Sequence, residues 1–169
     1  VVVPLTAELT LNTDAILAVP ATKLVFVCSP NNPTGDLIPR AQIETLLNQL
    51  ADRALVVVDE AYIEFIQDAS VVELLARYPN LVILRTLSKA FGLAGLRCGF
   101  TLAAPDIIAA LRQMIAPYPL AAPVIDIALQ ALSPAAIQQM WQTVSTINAL
   151  RQQFVDFAST LPGVNRVFS

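Results

Sequence analysis

Three short, unbroken apolar runs constrain this chain more than any other feature. Residues 24–28, 54–58 and 81–84 are rich in Val, Ile and Leu, and no polar side chain interrupts them. Such continuity implies strands buried on both faces, as in a parallel sheet covered by helices. Helical patterns lie between the runs. Pro39 precedes residues 40–51, where Ile43, Leu46, Leu47 and Leu50 recur at helical spacing and the proline sits near the first turn. Residues 71–78 make a shorter helix before Pro79-Asn80. The alternation of strand and helix predicts right-handed crossovers and an α/β fold.

The second half reads differently. Residues 97–102 suit a further strand and 105–115 a helix, followed by the bend Pro117-Tyr118-Pro119-Leu120 and a helix over 124–132. Ser133-Pro134 forms an N-cap and first-turn pair for a long helix running to about residue 160, which Pro162-Gly163 ends. Hydrophobic residues make up 56% of the 169, so membrane insertion has to be tested. Every long apolar stretch is broken, by Pro105-Asp106, Pro117, Pro119, Pro123, Asp126 or Pro134. No window offers the roughly 20 apolar residues of a spanning helix. No basic-then-apolar leader opens the chain either, so a cytoplasmic protein is expected.

Net charge is −3 with no basic cluster, which argues against nucleic acid or an anionic membrane as partner. Histidine is absent, removing His-based triads and His-ligated metal sites, and no metal is expected. Cys28 and Cys98 are far apart and each lies within an apolar run, so both are expected to be buried structural thiols. The chain opens on Val-Val-Val-Pro and closes just after a Pro-Gly turn, which reads as a piece of a larger protein.

Ligands of open α/β sheets sit at the C-terminal ends of the strands. A polar motif follows each predicted strand end: Ser29–Gly35, Asp59–Tyr62 and Arg85–Lys89. Lys89 stands after an apolar run, near Thr86 and beside Ser88; it is either a surface lysine or, in a partly desolvated pocket, an amine nucleophile suited to an aldehyde. Asp59 ends its run, where an acid needs a partner: an N-cap, a magnesium-type ion or a protonated ring nitrogen. Tyr62, three residues on, is a core aromatic or a phenol on the same side as Asp59. In Ser29-Pro30-Asn31-Asn32-Pro33-Thr34-Gly35, Pro33 keeps Asn32 out of the helical region and Gly35 permits a positive φ. That loop is a plain turn or a rigid mount for the Asn32 amide. Arg97 follows Gly92-Leu93-Ala94-Gly95-Leu96 and is a strand-edge arginine paired with an acid or a two-pronged phosphate anchor, with Thr86 and Ser88 adding hydroxyls. A lysine for an aldehyde together with an arginine for a phosphate is what holding pyridoxal 5'-phosphate requires.

SPNNPTG, DEAY and TLSKAFGLAGLRCG, in this order and separation, resemble the fold-type I pyridoxal-phosphate aminotransferases. With IAPYPL they look most like the enterobacterial branch that exchanges an amino group between histidinol phosphate and 2-oxoglutarate, yielding glutamate, in histidine biosynthesis. The resemblance implies a three-layer α/β/α fold with a mixed, mainly parallel sheet. It makes Lys89 the Schiff-base lysine, Asp59 the partner of the ring nitrogen, and Tyr62 and Asn32 the contacts of the ring's phenolic oxygen. Thr86, Ser88 and Arg97 become phosphate ligands. It further implies a homodimer at full length, with residues 1–132 in the large cofactor domain and 133–169 beginning a smaller C-terminal one. Family members are considerably longer, and the substrate-carboxylate arginine and a second phosphate loop fall outside this sequence, so the piece alone is expected to be inactive. An aromatic aminotransferase, a threonine-phosphate-type decarboxylase or a non-catalytic fragment would carry the same motifs.

Overall fold

The computed structural model describes residues 1–165 and Val167. Its strands are β1 (Leu24–Cys28), β2 (Leu55–Asp59), β3 (Leu81–Thr86) and β4 (Gly99–Ala103), and its helices α1 (Thr13–Leu17), α2 (Arg40–Gln49), α3 (Pro105–Met114), α4 (Ala122–Ala131) and α5 (Pro134–Ser159). The sheet runs in the order β1-β2-β3-β4, with β1, β2 and β3 parallel and β4 antiparallel to β3. This is the mainly parallel α/β sheet that the apolar runs predict, with the mixed character that the resemblance implies. Strand ends β1, β2 and β3 therefore open on one edge, with Cys28 opposite Asp59 and Asp59 opposite Leu84.

One face of the sheet forms the core. Val25 and Val27, Val56 and Val58, and Leu81 and Ile83 share it in register and pack with Ile43, Leu46, Leu47 and Leu50 of α2 and with Leu74. The expected two-sided burial holds for β2, where Val56, Val57 and Val58 are all buried, but not for β1. Leu24 and Phe26 are 54% and 67% exposed on the other face. The reason is position. β1 is an outer strand here, and an outer strand's apolar residues are covered only where another layer reaches them.

The same alternation corrects the reading of the cysteines. Cys28 is exposed because it shares the uncovered face of β1, and Cys98 is half-buried because it lies just before β4 rather than inside a strand. Residues 71–78 form a 3₁₀ turn, Val72–Ala76, instead of an α-helix. So short a segment, stopped by Pro79, gains little from the longer-range helical hydrogen bonds. The long helix behaves as expected: the Ser133 hydroxyl accepts from the Ala136 N–H at 3.4 Å and Pro134 occupies the first turn. Asn148 of α5 donates to the Phe65 carbonyl at 2.9 Å, tying that helix to the 3₁₀ turn Ile63–Phe65. Among the described residues no helix is long and apolar enough to cross a membrane.

Candidate active site at the C-terminal edge of the sheet

The three loops leaving β1, β2 and β3 bring most of the singled-out side chains together. The loop after β1 is closed on itself, with Gly35 N–H donating to the Asn31 carbonyl at 2.8 Å and Asn31 Nδ2 to the Thr34 hydroxyl at 2.8 Å. Gly35 adopts the positive φ of 78° that its position demands. Asn32, at the tip, donates from Nδ2 to the Tyr62 Oη at 3.0 Å, joining the first loop to the second across thirty residues of sequence. Asp59 ends β2 half-exposed, and its Oδ1 accepts from the Ala61 N–H at 3.0 Å. The chain then turns, and Tyr62 leads into the 3₁₀ turn Ile63–Phe65.

Lys89 enters from the third loop, its Nζ 4.9 Å from the centroid of the Tyr62 ring. That lies within the range of a cation–π contact. Lys89 is exposed among the described residues, where the sequence reading allowed a partly desolvated pocket. Thr86 Oγ1 donates to Ser88 Oγ at 2.9 Å and accepts from the Ser88 N–H at 3.1 Å, so the two hydroxyls form one patch directly before Lys89. The Leu87 N–H donates to the Cys98 carbonyl at 3.1 Å, bringing residue 98 back to this loop. Arg97 precedes it in the left-handed region, at φ 53° and ψ 35°. A side chain held there costs on the order of 1 kcal/mol or more, a strain that functional sites tend to retain. Its Nη1 donates to the Ala94 carbonyl at 3.1 Å, and it makes no ion pair among the described residues. The strand-edge arginine paired with an acid is thus not what the structure shows.

Two features escaped the sequence. The acid that is fully buried at the end of β2 is Glu60, not Asp59, and it is joined by Arg85, Glu64 and Ser70. The signal was an arginine at one strand exit facing a second acid at the next. Arg151 of α5 also lines a cavity of about 240 Å³ beside Asn32 and Tyr62, a juxtaposition only the tertiary fold creates.

Cys28, opposite Asp59 in register, has a thiol pKa raised above the ordinary 9.0. Partial burial is the larger cause, and the Asp59 carboxylate pushes the same way. The sign follows: the fold favours the neutral thiol, so this contribution is fully present below the ordinary value and fades as pH climbs past it. Iodoacetamide should alkylate Cys28 more slowly in the folded protein than in the unfolded chain at pH 9. Asp59→Asn should narrow the gap, and equal rates in all three samples would contradict the assignment.

An amine, an acid, a phenol and clustered hydroxyls thus lie on loops at the carboxyl ends of parallel strands, the edge at which open α/β sheets place ligands. Residues 4–165 match the family described as aminotransferase class I and II, and the chain belongs to that family. The chain is 58% identical to the histidinol-phosphate aminotransferase of Aeromonas hydrophila over 86% of its own length and 41% of the relative's. With the enzyme of the same name from Vibrio cholerae it shares 56% identity over 96% of its length and 47% of the relative's. The chain spans about half the length of the curated relatives it matches. Among solved structures, the histidinol-phosphate aminotransferase of Sinorhizobium meliloti in complex with pyridoxal-5'-phosphate superposes with a TM-score of 0.81 at 30% identity, covering 94% of this chain and 44% of that one.

Proposed function

We propose that this chain is the cofactor-binding core of an enzyme that exchanges an amino group between histidinol phosphate and 2-oxoglutarate, with pyridoxal 5'-phosphate as cofactor. The observation that carries the reading is the meeting of Asn32, Tyr62 and Lys89 beside Asp59 at one sheet edge. The names of the relatives above support the choice of substrates.

The side chains present fit that cofactor. They supply an amine, a carboxylate with one oxygen outside its turn hydrogen bond, a phenol already linked to an amide, a hydroxyl pair and an arginine outside any described ion pair. Bound pyridoxal phosphate supplies an aldehyde for a lysine amine and an electron sink for charge developing on a substrate carbon. Lys89 Nζ would hold the cofactor through its amine, and the same amine would carry the proton of the substrate α-carbon. Asp59 would keep the ring nitrogen protonated, and Tyr62 and Asn32 would hold the ring's phenolic oxygen. Thr86, Ser88 and the Arg97 guanidinium would hold the cofactor's phosphate.

Residues 1–132 belong to the large domain in this reading, and 133–169 start the small one; residues 166, 168 and 169 lie outside the described structure. The working enzyme is a cytoplasmic homodimer. The test compares amino donors in the full-length protein with 2-oxoglutarate as acceptor. A kcat/KM for histidinol phosphate at least about a hundredfold above that for phenylalanine supports the proposal. Preference for phenylalanine, or no glutamate formed from either donor, would overturn it.

A further inference from the structure

We propose that the buried cluster of Glu60, Glu64, Ser70 and Arg85 is the positioning device of the site, locking the ends of β2 and β3 so that Asp59, Tyr62 and the Thr86–Lys89 loop keep their places. The inference rests on the cofactor reading above.

Side chains alternate along a strand. Glu60 follows Asp59 and Arg85 precedes Thr86, so both continue the core face of Val58 and Ile83, back to back with the site. Glu60 is 1% exposed and the Arg85 side chain 17%. Arg85 donates from Nε to Glu60 Oε2 at 2.8 Å, and its Nη2 approaches the same oxygen at 2.8 Å. Nη2 also donates to Ser70 Oγ at 2.9 Å, and Nη1 to Glu64 Oε1 at 3.0 Å. The other Glu60 oxygen accepts from the Val71 N–H at 2.8 Å, and the Ser70 hydroxyl donates to the carboxylate, 3.0 Å from Oε2 and 3.2 Å from Oε1.

One guanidinium therefore ties together a strand end, the 3₁₀ turn and the loop after it. Glu60 and Glu64 bracket Tyr62 in sequence, so fixing both fixes the turn that carries the phenol. The Glu60 N–H also donates to the Leu84 carbonyl at 3.0 Å, joining the two strands at the same level. Strand β4 closes over the arginine's backbone: a Cβ on Gly99 would stand 2.8 Å from the Arg85 carbonyl oxygen.

Stability alone is a poor reason for this arrangement. Burying ions costs desolvation, and apolar residues of equal volume often do as well or better. Two carboxylates facing one cation leave a negative surplus besides. What a planar fork gives that apolar packing does not is directional constraint on several segments at once.

The test uses the full-length protein with Arg85→Lys, which keeps the charge and loses the fork, and with the triple variant Glu60→Gln/Glu64→Gln/Arg85→Met, which removes all three charges together. Three quantities are read: the Kd for added pyridoxal phosphate, the visible circular dichroism per bound cofactor, and the thermal midpoint of the cofactor-free protein. In both proteins the Kd is expected to rise roughly tenfold, the low end of what supporting partners are worth at ordered sites, with weakened visible dichroism. Unchanged Kd and dichroism, with only the thermal midpoint lowered, would overturn the positioning role and leave a structural one. Glu64→Gln spares the Glu60–Arg85 pair and serves if the others fail to fold: a Kd raised by about threefold supports the role, and an unchanged Kd and dichroism overturn it. If the unsubstituted protein takes up no pyridoxal phosphate, the cofactor reading itself falls and this inference with it.

Discussion

Lys89→Ala is expected to abolish covalent attachment of pyridoxal phosphate to the protein. Among the residues gathered at this sheet edge, Lys89 alone has an amine that can condense with an aldehyde, and no neighbour there can replace it. After borohydride reduction, mass spectrometry of the unsubstituted full-length protein should show one added cofactor, and peptide mapping should place it on residue 89. The variant should show none. Its amino-transfer rate should drop by about 10⁴-fold or more if, as proposed, the amine is both anchor and proton carrier. Noncovalent uptake of the cofactor should survive, since Thr86, Ser88, Arg97 and Asp59 remain. Equal trapping in the variant would remove Lys89 from the chemistry.

Asp59→Asn should separate binding from turnover. The amide can still accept the Ala61 N–H, so the turn after β2 keeps its 3.0 Å hydrogen bond and the fold should hold. What is lost is the negative charge that, in the proposed role, would keep a ring nitrogen protonated. Loss of one well-placed electrostatic partner costs on the order of 10²–10³ in rate. Borohydride trapping should continue while single-turnover amino transfer slows by that factor. Turnover within about tenfold of the parent would show that the carboxylate only caps its turn, because so small a change is below the loss expected for a charge partner.

Much of the fold was legible because it depends on local periodicity. Continuous apolar runs gave the strands of the parallel sheet, and the spacing of Ile43, Leu46, Leu47 and Leu50 gave α2. The Ser133-Pro134 pair marked the start of α5. The loop glycine at 35 was legible for the same reason, since its φ is a property of the turn itself. Periodicity is silent on how many layers cover a strand. That is why Phe26 and Cys28, apolar and within a run, prove exposed on the open face of β1.

The candidate site was legible as three polar motifs after three strands, because the rule for parallel sheets puts those ends on one edge. Which side chains touch was not. DEAY places an acid at a strand end, yet only the alternation of strand faces decides that Glu60 turns inward to Arg85 while Asp59 stays outward. Burial around Lys89 was expected from its apolar approach. In the structure Leu87 is still buried just after β3, and exposure begins two residues on, at Lys89 itself.

By itself the sequence determined the element order, the parallel sheet and the set of reactive groups, because these follow from residue type, short-range spacing and chain direction. The tertiary structure decided the Asn32–Tyr62 bond, the seat of Lys89 over the Tyr62 ring and the arginine lock behind them. Those contacts join residues far apart in the chain. Strand register and the face each strand turns to its neighbours set such distances, and no local pattern encodes them.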